Sequence, residues 1–301
     1  MTAVVITCVL ILLLTSLWLI MERRLWPHKS TKAFWYLSDL PLSKKLEGYL
    51  YAARAEWYLK PATWAWFMRR FVKSETAATY HGKMLTQSDA AKLIRLNKPV
   101  NLTDLDHVIP YPVAKSIILQ DPLPSLAVVD CPCRAQKKDA CLPRDVCLVI
   151  GEPYTSFIID HQPDKARRIS VEEALDIIDA EEKRGHIHTA WFKDVMHNRF
   201  YTICNCCSCC CLGMKSYFRG VPRLTHSGYS PQVDNVVCSA CGICASTCPF
   251  LAITMYNELP TIDLNVCMGC GLCVSHCPTE AIELILAPHK GIPLNIERLV
   301  Q

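Results

Sequence analysis

An uncharged apolar run opens the chain and extends from Ala3 to Met21 (AVVITCVLILLLTSLWLIM). As a helix, a run of this length crosses the roughly 30 Å hydrocarbon core of a bilayer. No basic region precedes it and no small-residue cleavage site follows it, which favours a permanent anchor over a secretory signal peptide. Basic residues, beginning with Arg23 and Arg24, flank only its C-terminal end. The positive-inside rule therefore predicts a single-pass protein of the cell inner membrane with its body on the cytoplasmic side.

Residues 23–74 are rich in basic and aromatic side chains. Eleven Lys and Arg accompany three acidic residues between Arg23 and Lys73, and six of the seven tryptophans lie at or before Trp66. This composition is typical of a segment at the membrane interface. A small helical subdomain with packed aromatic side chains is the alternative, and the sequence leaves both open. Neither interpretation predicts chemistry in this segment.

Periodic patterns in the rest of the chain predict helices and strands. Thr86 precedes the apolar pattern of a short helix, residues 110–119 (PYPVAKSIIL) indicate a helix begun by proline, and residues 125–129 (SLAVV) indicate a buried strand. Ser170 and Glu173 form a capping box before an amphipathic helix that stops at Gly185. We expect this last helix to be scaffold that lets the cysteine groups on either side of it meet.

The cysteine content changes the interpretation of the chain. There are 19 cysteines, and all but Cys8 lie between Cys131 and Cys277, which indicates metal binding. A disulfide framework is the competing interpretation, but the six cysteines within residues 204–211 are too close in sequence for the preferred disulfide geometry. The net charge of +4 indicates no nucleic-acid partner. The chain also lacks the Gly-rich phosphate-binding motifs, which argues against a nucleotide cofactor on it.

A 29-residue internal repeat lies near the C-terminus, where residues 234–244 align with residues 263–273. Each half carries C-x-x-C-x-x-C-x-x-x-C-P, a ligand spacing of [4Fe-4S] clusters. The eight cysteines are Cys238, Cys241, Cys244, Cys248, Cys267, Cys270, Cys273 and Cys277. Zinc ribbons also use C-x-x-C pairs, but this number of cysteines in a regular repeat, with a proline after each motif, favours iron–sulfur clusters.

The two motifs resemble those of bacterial two-cluster ferredoxins, in which the remote cysteine of each motif ligates the other cluster. The resemblance implies two similar halves related by a pseudo-two-fold axis. It implies one [4Fe-4S] cluster on Cys238, Cys241, Cys244 and Cys277. It implies another on Cys267, Cys270, Cys273 and Cys248.

Ten further cysteines precede the repeat: Cys131, Cys133, Cys141, Cys147, Cys204, Cys206, Cys207, Cys209, Cys210 and Cys211. One [4Fe-4S] cluster uses about four thiolates and two use about eight. We favour one or two further iron–sulfur clusters, with a zinc site on Cys131, Cys133, Cys141 and Cys147 as the alternative.

Other polar residues lie near these cysteines. Arg134 could offset the charge of a thiolate-rich cluster or pair with an acidic side chain, and the sequence leaves both open. His186, His188 and His197 are candidate ligands or proton carriers, although packing roles are more common for such residues.

The upstream cysteines also carry a family resemblance. Residues 131–134 (CPCR), Cys141, Cys147 and residues 203–211 (ICNCCSCCC) resemble bacterial and archaeal 4Fe-4S binding proteins that fuse this Cys-rich domain to a dicluster ferredoxin domain. The resemblance covers residues 85–286 and implies iron–sulfur cofactors without defining a substrate.

These patterns predict an α+β protein with an N-terminal transmembrane helix, a mixed helical Cys-rich domain and a C-terminal ferredoxin-like dicluster domain. The predicted boundaries are residues 1–22 for the anchor, 23–74 for the juxtamembrane segment, 75–228 for the Cys-rich domain, 229–286 for the dicluster domain and 287–301 for a tail.

Three functions are consistent with these expectations. The first is a membrane-anchored relay that passes electrons to or from a partner redox protein, either a soluble donor or an oxidoreductase subunit. The second is a reductase with a site-differentiated or non-cubane cluster in residues 204–211. The third is a ferredoxin attached to a zinc-stabilised docking module.

Overall fold

The computed structural model describes residues 2–64, 79–96, 99–103, 105, 108, 116–119 and 124–295. Helices form its N-terminal part, a seven-stranded sheet its middle, and two β–α–β units its C-terminal part. Some of the sequence predictions lie outside the described residues: Trp66, the beginning of the predicted helix at 110–119, and residues 296–301 of the tail.

The N-terminal helices are α1 (Thr2–Glu22), α2 (Lys29–Trp35), α3 (Leu42–Ala53) and α4 (Ala55–Trp64). Among the described residues, α1 is the one helix that length and composition allow to cross a membrane, over Val5–Glu22 with a mean hydropathy of 2.4. Only 11% of this span is buried inside the protein, so its apolar side chains are exposed. The predicted apolar helix is present, and its insertion in a membrane stays a prediction.

The C-terminal end of α1 is held in the body of the protein. Glu22 is fully buried, and its carboxylate accepts hydrogen bonds from Tyr49 Oη at 2.7 Å and from Thr31 Oγ1 at 3.0 Å. The same carboxylate lies 3.2 Å from Nε2 of the buried His161. A buried carboxylate is stable only when it is hydrogen-bonded in this way, so these contacts fix the end of α1 against the helices around it.

The aromatic segment, residues 23–74, combines features of the two interpretations left open above, a packed helical subdomain and a segment at the membrane interface. Phe34 and Tyr49 are buried in the same core as residues of the middle sheet, as expected of a packed helical subdomain. In contrast, Trp26 is 75% exposed and Tyr36 is 84% exposed, and both are free of the core. The segment therefore has a packed face and an exposed aromatic face.

The strands of the middle region are β1 (Tyr80–Leu85), β2 (Val100–Leu102), β3 (Ile117–Leu119), β4 (Leu126–Asp130), β5 (Asp145–Ile150), β6 (Ala166–Arg168), β7 (Ile187–Lys193), β8 (Arg199–Cys206) and β9 (Leu224–Thr225). Seven of them form one sheet in the order β6-β4-β5-β8-β7-β1-β9, and β2 pairs with β3 separately. All described pairings in the large sheet are antiparallel except β1 with β9.

The prediction of a mixed helical Cys-rich domain was incomplete, because this region also contains the seven-stranded sheet. The predicted strand at 125–129 is confirmed as β4, but most of the others gave no alternating pattern in the sequence. The reason is burial on both faces, since all seven residues of β7 are buried. The prediction of a helix through residue 119 was wrong, because Ile117–Leu119 form β3, where β-branched side chains pack well.

The helices of the middle region are α5 (Gln87–Ile94), α6 (Pro132–Ala135), α7 (Tyr154–His161), α8 (Val171–Lys183) and α9 (Leu212–Tyr217). The two helices predicted from capping residues are confirmed. Thr86 Oγ1 accepts a hydrogen bond from the backbone of Asp89, and Ser170 Oγ accepts one from Glu173, both at 3.1 Å.

The C-terminal part repeats one β–α–β unit. The first unit contains β10 (Tyr229–Val233), α10 (Ile243–Thr247) and β11 (Ile253–Tyr256), and the second contains β12 (Leu259–Ile262), α11 (Leu272–Ser275) and β13 (Ile282–Leu286). Strand β10 pairs with β13 and β11 pairs with β12, so each small sheet contains one strand from each unit. Two short 3-10 turns, Asp194–Met196 and Pro288–Lys290, complete the described elements.

Candidate metal centres

The two cysteine loops of the repeat have matching backbone conformations. Positive φ angles recur 29 residues apart, in the pairs Ala240 and Gly269, Gly242 and Gly271, and Leu251 and Glu280. At Gly269 a Cβ atom would lie 2.0 Å from the carbonyl oxygen of Tyr229, so only glycine fits there. The left-handed residues turn each loop tightly enough for its cysteines to face one point.

Hydrogen bonds in the loops obey the same two-fold relation. The backbone N–H of Asp234 donates to the carbonyl of Ala281, and that of Asp263 donates to the carbonyl of Ala252, both at 2.8 Å. The N–H of Ala252 in turn donates to Cys248 Sγ at 3.3 Å, as does that of Ala281 to Cys277 Sγ. Such N–H···S contacts stabilise thiolates and tune the potential of an iron–sulfur cluster.

Two cavities lie at the ends of the repeated unit, and each is lined by four cysteines. Three cysteines of each cavity come from one half of the repeat and the fourth comes from the other half. The first cavity is lined by Cys238, Cys241, Cys244 and Cys277. The second is lined by Cys267, Cys270, Cys273 and Cys248.

The thiols of these loops suit a soft metal centre. Burial, with the neighbouring Cys267 and Cys248, raises the pKa of Cys273 to about 12, and burial also raises the pKa of Cys244. At neutral pH a thiol in such surroundings ionises only against a cationic partner. Thiolate ligands select zinc and iron–sulfur clusters over hard cations, so the donor set fits the cofactor that the motif predicts.

The middle sheet brings the two upstream cysteine groups together. Cys147 on β5 is paired with Val129 near the end of β4, immediately before Cys131. Strand β8, which carries Cys204 and Cys206, pairs with β5 on the other side. Cysteines that are more than fifty residues apart in sequence therefore lie on adjacent strands.

The ten upstream thiols separate into two groups. One group has four members, Cys141, Cys207, Cys209 and Cys210, whose sulfur atoms all lie within 4.8 Å of one another. Cys141 Sγ and Cys209 Sγ are 2.8 Å apart, and Cys209 is exposed. A compact set of four thiols can hold a [4Fe-4S] cluster or a zinc ion.

The remaining six thiols form a closed ring. Each lies close to two others, in the order Cys131, Cys133, Cys211, Cys206, Cys204, Cys147 and back to Cys131. The sulfur atoms of Cys206 and Cys211 are 3.2 Å apart. We refer to these six cysteines as the six-thiol ring. The four cysteines proposed above as a zinc site do not form one group, because Cys141 lies in the four-thiol group and the other three lie in the ring.

The six-thiol ring lines a large cavity with an aromatic wall. The cavity encloses about 1060 Å³ of empty space, part of it open to solvent, and Tyr51, Tyr80, Tyr201 and Trp191 line it with the cysteines. Tyr51 Oη and Tyr201 Oη are 2.7 Å apart, and Tyr80 stacks on Trp191 with ring centroids 4.3 Å apart. Burial raises the pKa of Tyr51, so its hydroxyl stays protonated at neutral pH.

Sequence reasoning missed this aromatic wall. Tyr51 lies in the segment in which no chemistry was expected, and Trp191 lies on a strand without an alternating pattern. The related feature in the sequence is glycine at positions 82 and 213, because the Trp191 ring leaves little room for a side chain at either position. A Cβ atom on Gly213 would lie 2.5 Å from the Trp191 ring, and one on Gly82 would lie 3.0 Å from it.

Arg134 pairs with an acidic side chain, which is one of the two roles left open above. Its guanidinium is fully buried and donates to Glu181 Oε2 at 2.5 Å and to the carbonyl of Asn205 at 3.2 Å. Glu181 also contacts His186 Nδ1 at 2.7 Å. Because Arg134 follows Cys133 and Asn205 precedes Cys206, this ion pair fixes two cysteine segments against the end of α8.

The candidate histidines have polar protein partners. His188 Nε2 lies 2.9 Å from Glu182 Oε2, and His188 Nδ1 lies 2.6 Å from Asn205 Oδ1. His197 Nδ1 contacts Ser38 Oγ at 2.6 Å, and burial lowers the pKa of His197 to about 4. These are the contacts of packing residues, and through Asn205 His188 also joins β7 to the cysteine-bearing strand β8.

The class of site is supported by a comparison with known families. The Fer4 family, a 4Fe-4S binding domain, matches residues 260–283, which contain the second cysteine motif of the repeat. This part of the chain is therefore similar to 4Fe-4S binding domains, and the protein is an iron–sulfur protein. No curated protein matches the chain.

Proposed function

We propose that this protein is a membrane-anchored electron-transfer protein that passes electrons through two or more [4Fe-4S] clusters to or from a partner oxidoreductase. The observation that carries the proposal is the composition of the two cavities in the repeat. Each combines three cysteines of one half with the fourth cysteine of the other half. This is the donor arrangement that crossed ligation of two cubanes requires.

In this proposal Cys238, Cys241, Cys244 and Cys277 hold one cluster, and Cys267, Cys270, Cys273 and Cys248 hold the other. When bound, the clusters supply one-electron carriers. The protein contributes the thiolates, the N–H donors to sulfur and the apolar surroundings that together set the potentials.

The upstream thiols extend the proposed path for electrons. A groove on the surface is lined by Cys248 of the repeat together with Cys141, Cys207 and Cys209 of the four-thiol group. Cys207 also lines the cavity of the six-thiol ring. Neighbouring metal centres along these cavities would let electrons move between the repeat and the ring, which supports a relay rather than separate sites.

The buried end of α1 supports the anchor. A cleaved signal peptide has no reason to contribute a buried carboxylate to the mature protein, yet Glu22 is the common partner of Tyr49, Thr31 and His161. Arg23, next along the chain, pairs with Asp164 at 2.7 Å. With the basic residues after α1, we propose a single-pass inner-membrane protein whose body lies in the cytoplasm, where thiolate-rich centres stay reduced.

Crossed ligation is tested by comparing cysteine-to-serine variants of the anaerobically purified full chain. We expect Cys238→Ser and Cys277→Ser to alter the same EPR component of the reduced protein, and Cys248→Ser to alter the component that Cys267→Ser alters. Cys8→Ser is the matched control and should leave both unchanged. If Cys277→Ser and Cys267→Ser affected the same component, the proposed ligand sets would be wrong.

A reductase is the second candidate, and the aromatic cavity favours it. Three tyrosines line a cavity that the six-thiol ring also lines, so a substrate there would meet both a redox centre and hydroxyl donors. The expected observation is a change in the upstream cluster spectrum when cyanide is added, because an iron with an open coordination position binds it. A spectrum unaffected by cyanide would favour the relay.

A further inference from the structure

The six-thiol ring has too many ligands for one cubane. A [4Fe-4S] cluster has about four irons and takes one thiolate on each. The other four upstream cysteines form their own group, with sulfur atoms within 4.8 Å of one another. The ten upstream cysteines therefore divide into four and six, although Cys207 and Cys210 of the four-thiol group also line the cavity of the ring.

Two cubanes joined by one shared sulfide match this number. Together they contain about eight irons, and the shared sulfide occupies one coordination position on each of two irons. About six irons then remain, and each takes one thiolate. We propose that the six-thiol ring binds such an eight-iron cluster, with Cys131, Cys133, Cys147, Cys204, Cys206 and Cys211 as its ligands. This inference rests on the proposed iron–sulfur function and adds a centre that the C-terminal repeat does not contain.

The ring is continuous, which argues against a cubane with two spare cysteines. Every thiol lies close to two ring neighbours, and Cys206 and Cys211 are in contact at 3.2 Å, so no four of them stand apart from the other two. The ring also has a rigid frame. Cys147, Cys204 and Cys206 lie on the adjacent strands β5 and β8, while Cys133 lies on α6 and Cys211 caps α9.

The space beside the ring is large enough for more than a cubane. Its cavity has about 1060 Å³ of empty space, part of it open to solvent, against about 350 Å³ and 300 Å³ by the same measure for the two four-cysteine cavities of the repeat. The aromatic side chains of Tyr51, Tyr80 and Trp191 also line this cavity. A cluster twice the size of a cubane needs this additional room, whereas a zinc ion does not.

Backbone N–H groups are available on the loop side of the ring. The backbone amide of Leu212 lies close to the sulfur of Cys133, and that of Met214 lies close to the sulfur of Cys211. The backbone amide of Arg134 lies close to the sulfur of Cys131. These are the contacts that stabilise thiolates at iron–sulfur centres.

Iron and acid-labile sulfide, measured per chain on the full-length protein purified anaerobically in detergent, test the proposal. The wild type should hold about twenty irons: about eight in the repeat, about four in the four-thiol group and about eight in the ring. Cys206→Ser should lose up to about eight irons, and Cys209→Ser, in the four-thiol group, up to about four. Cys8→Ser, on the exposed face of α1, is the matched control and should lose none.

The outcomes separate this inference from the proposed function. A wild type with about sixteen irons, of which Cys206→Ser loses about four, would show one cubane in the ring and overturn the inference. Zinc in the ring, or iron unchanged in Cys206→Ser, would overturn it as well. In each of these cases the EPR signals of the repeat would persist, and the proposed function would stand. If Cys206→Ser failed to fold, the iron count of the wild type would still decide between about twenty and about sixteen.

Discussion

At the scale of single residues, Arg134 and Glu181 form a buried ion pair beside the upstream cysteines. Their side chains are 1% and 0% exposed, and the pair is reinforced by His186 and the Asn205 carbonyl. Burying two charges is costly, so the pair is a weak source of stability as a whole, but removing one partner leaves an uncompensated buried charge. The geometry of the cysteine segments depends on this pair remaining complete.

We therefore expect Arg134→Met to destabilise the protein by about 3 to 5 kcal/mol. The double variant Arg134→Met/Glu181→Leu should recover much of this loss, because it leaves no unpaired charge. Arg167→Met is the matched control, since Arg167 and its partner Glu173 are 53% and 40% exposed and the loss should stay below about 1 kcal/mol. Anaerobic urea unfolding measures all three, and equal losses for Arg134→Met and Arg167→Met would contradict the account.

His197 predicts a dependence of stability on pH. Burial, with Arg199 and Lys45 nearby, lowers its pKa to about 4, whereas an unfolded histidine titrates near about 6.5. Between these values the unfolded chain binds a proton that the native protein does not. The stabilising effect of neutral His197 is therefore complete above about pH 6.5 and is lost as the pH falls towards about 4.

The variant His197→Asn isolates this effect. Asparagine tolerates the left-handed conformation of residue 197, which has a φ of 60°, and it can still bond to Ser38. We expect the melting temperature of the variant to fall less than that of the wild type between about pH 6.5 and about pH 4.5. Acid effects on the metal centres act on both proteins and cancel in the comparison. Parallel melting curves over this range would show that His197 does not titrate as described.

At the scale of elements, α1 combines an exposed apolar surface with a buried end. Leu12 and Leu13 are 64% and 61% exposed, while Met21 is 4% exposed and Glu22 is fully buried. An exposed row of this kind needs a lipid or protein partner. The buried end fixes α1 relative to the body of the protein, because the Glu22 carboxylate accepts a hydrogen bond from Tyr49 on α3.

The substitutions Leu12→Lys and Leu13→Lys, made together, test whether α1 spans a membrane. Each lysine near the middle of a spanning helix costs about 3 kcal/mol on an insertion scale. We expect the double variant to move from the carbonate-resistant membrane pellet to the supernatant. Leu142→Lys, at a 70% exposed loop position, is the control and should stay in the pellet. Retention of the double variant in the pellet would argue that other segments hold the protein to the membrane.

Helix α8 illustrates how far the sequence could predict an element. Its capping box and its apolar face, which includes Ala174 and Ile178, predicted its bounds closely. The sequence could not indicate that its last turn joins three parts of the fold. Glu182 contacts His188 on β7 at 2.9 Å and accepts a hydrogen bond from Ser275 on α11 at 2.6 Å. Such tertiary contacts depend on pairings between residues that are distant in sequence.

At the scale of the whole molecule, local spacing predicted the repeat and long-range pairing determined the rest. The cysteine motifs predicted three cysteines of each cavity directly, because these three are close in sequence, whereas the fourth was implied by the resemblance to two-cluster ferredoxins. From the upstream cysteines, the sequence predicted only how many further clusters the chain could bind. Their division into four and six follows from the order of β4, β5 and β8 in the sheet, and this order is set by pairings between residues distant in sequence that no local pattern reveals.

The repeat, the four-thiol group and the six-thiol ring follow one another in the molecule. The surface groove beside the four-thiol group shares Cys248 with one cavity of the repeat, and it shares Cys207 with the cavity of the ring. The cavity of the ring is also lined by Ala55 and Leu59 of α4, on the side of the N-terminal helices. In the proposed relay, a soluble partner is expected to meet the repeat, which lies at the other end of this order from α4.

The most direct test of the central claim is the content of iron, labile sulfide and zinc in the anaerobically purified protein. The account predicts a brown protein with nearly equal iron and sulfide, at least about twelve of each per chain, and no stoichiometric zinc. A folded protein that is free of iron, or one whose upstream cysteines hold zinc while only about eight irons are present, would contradict it.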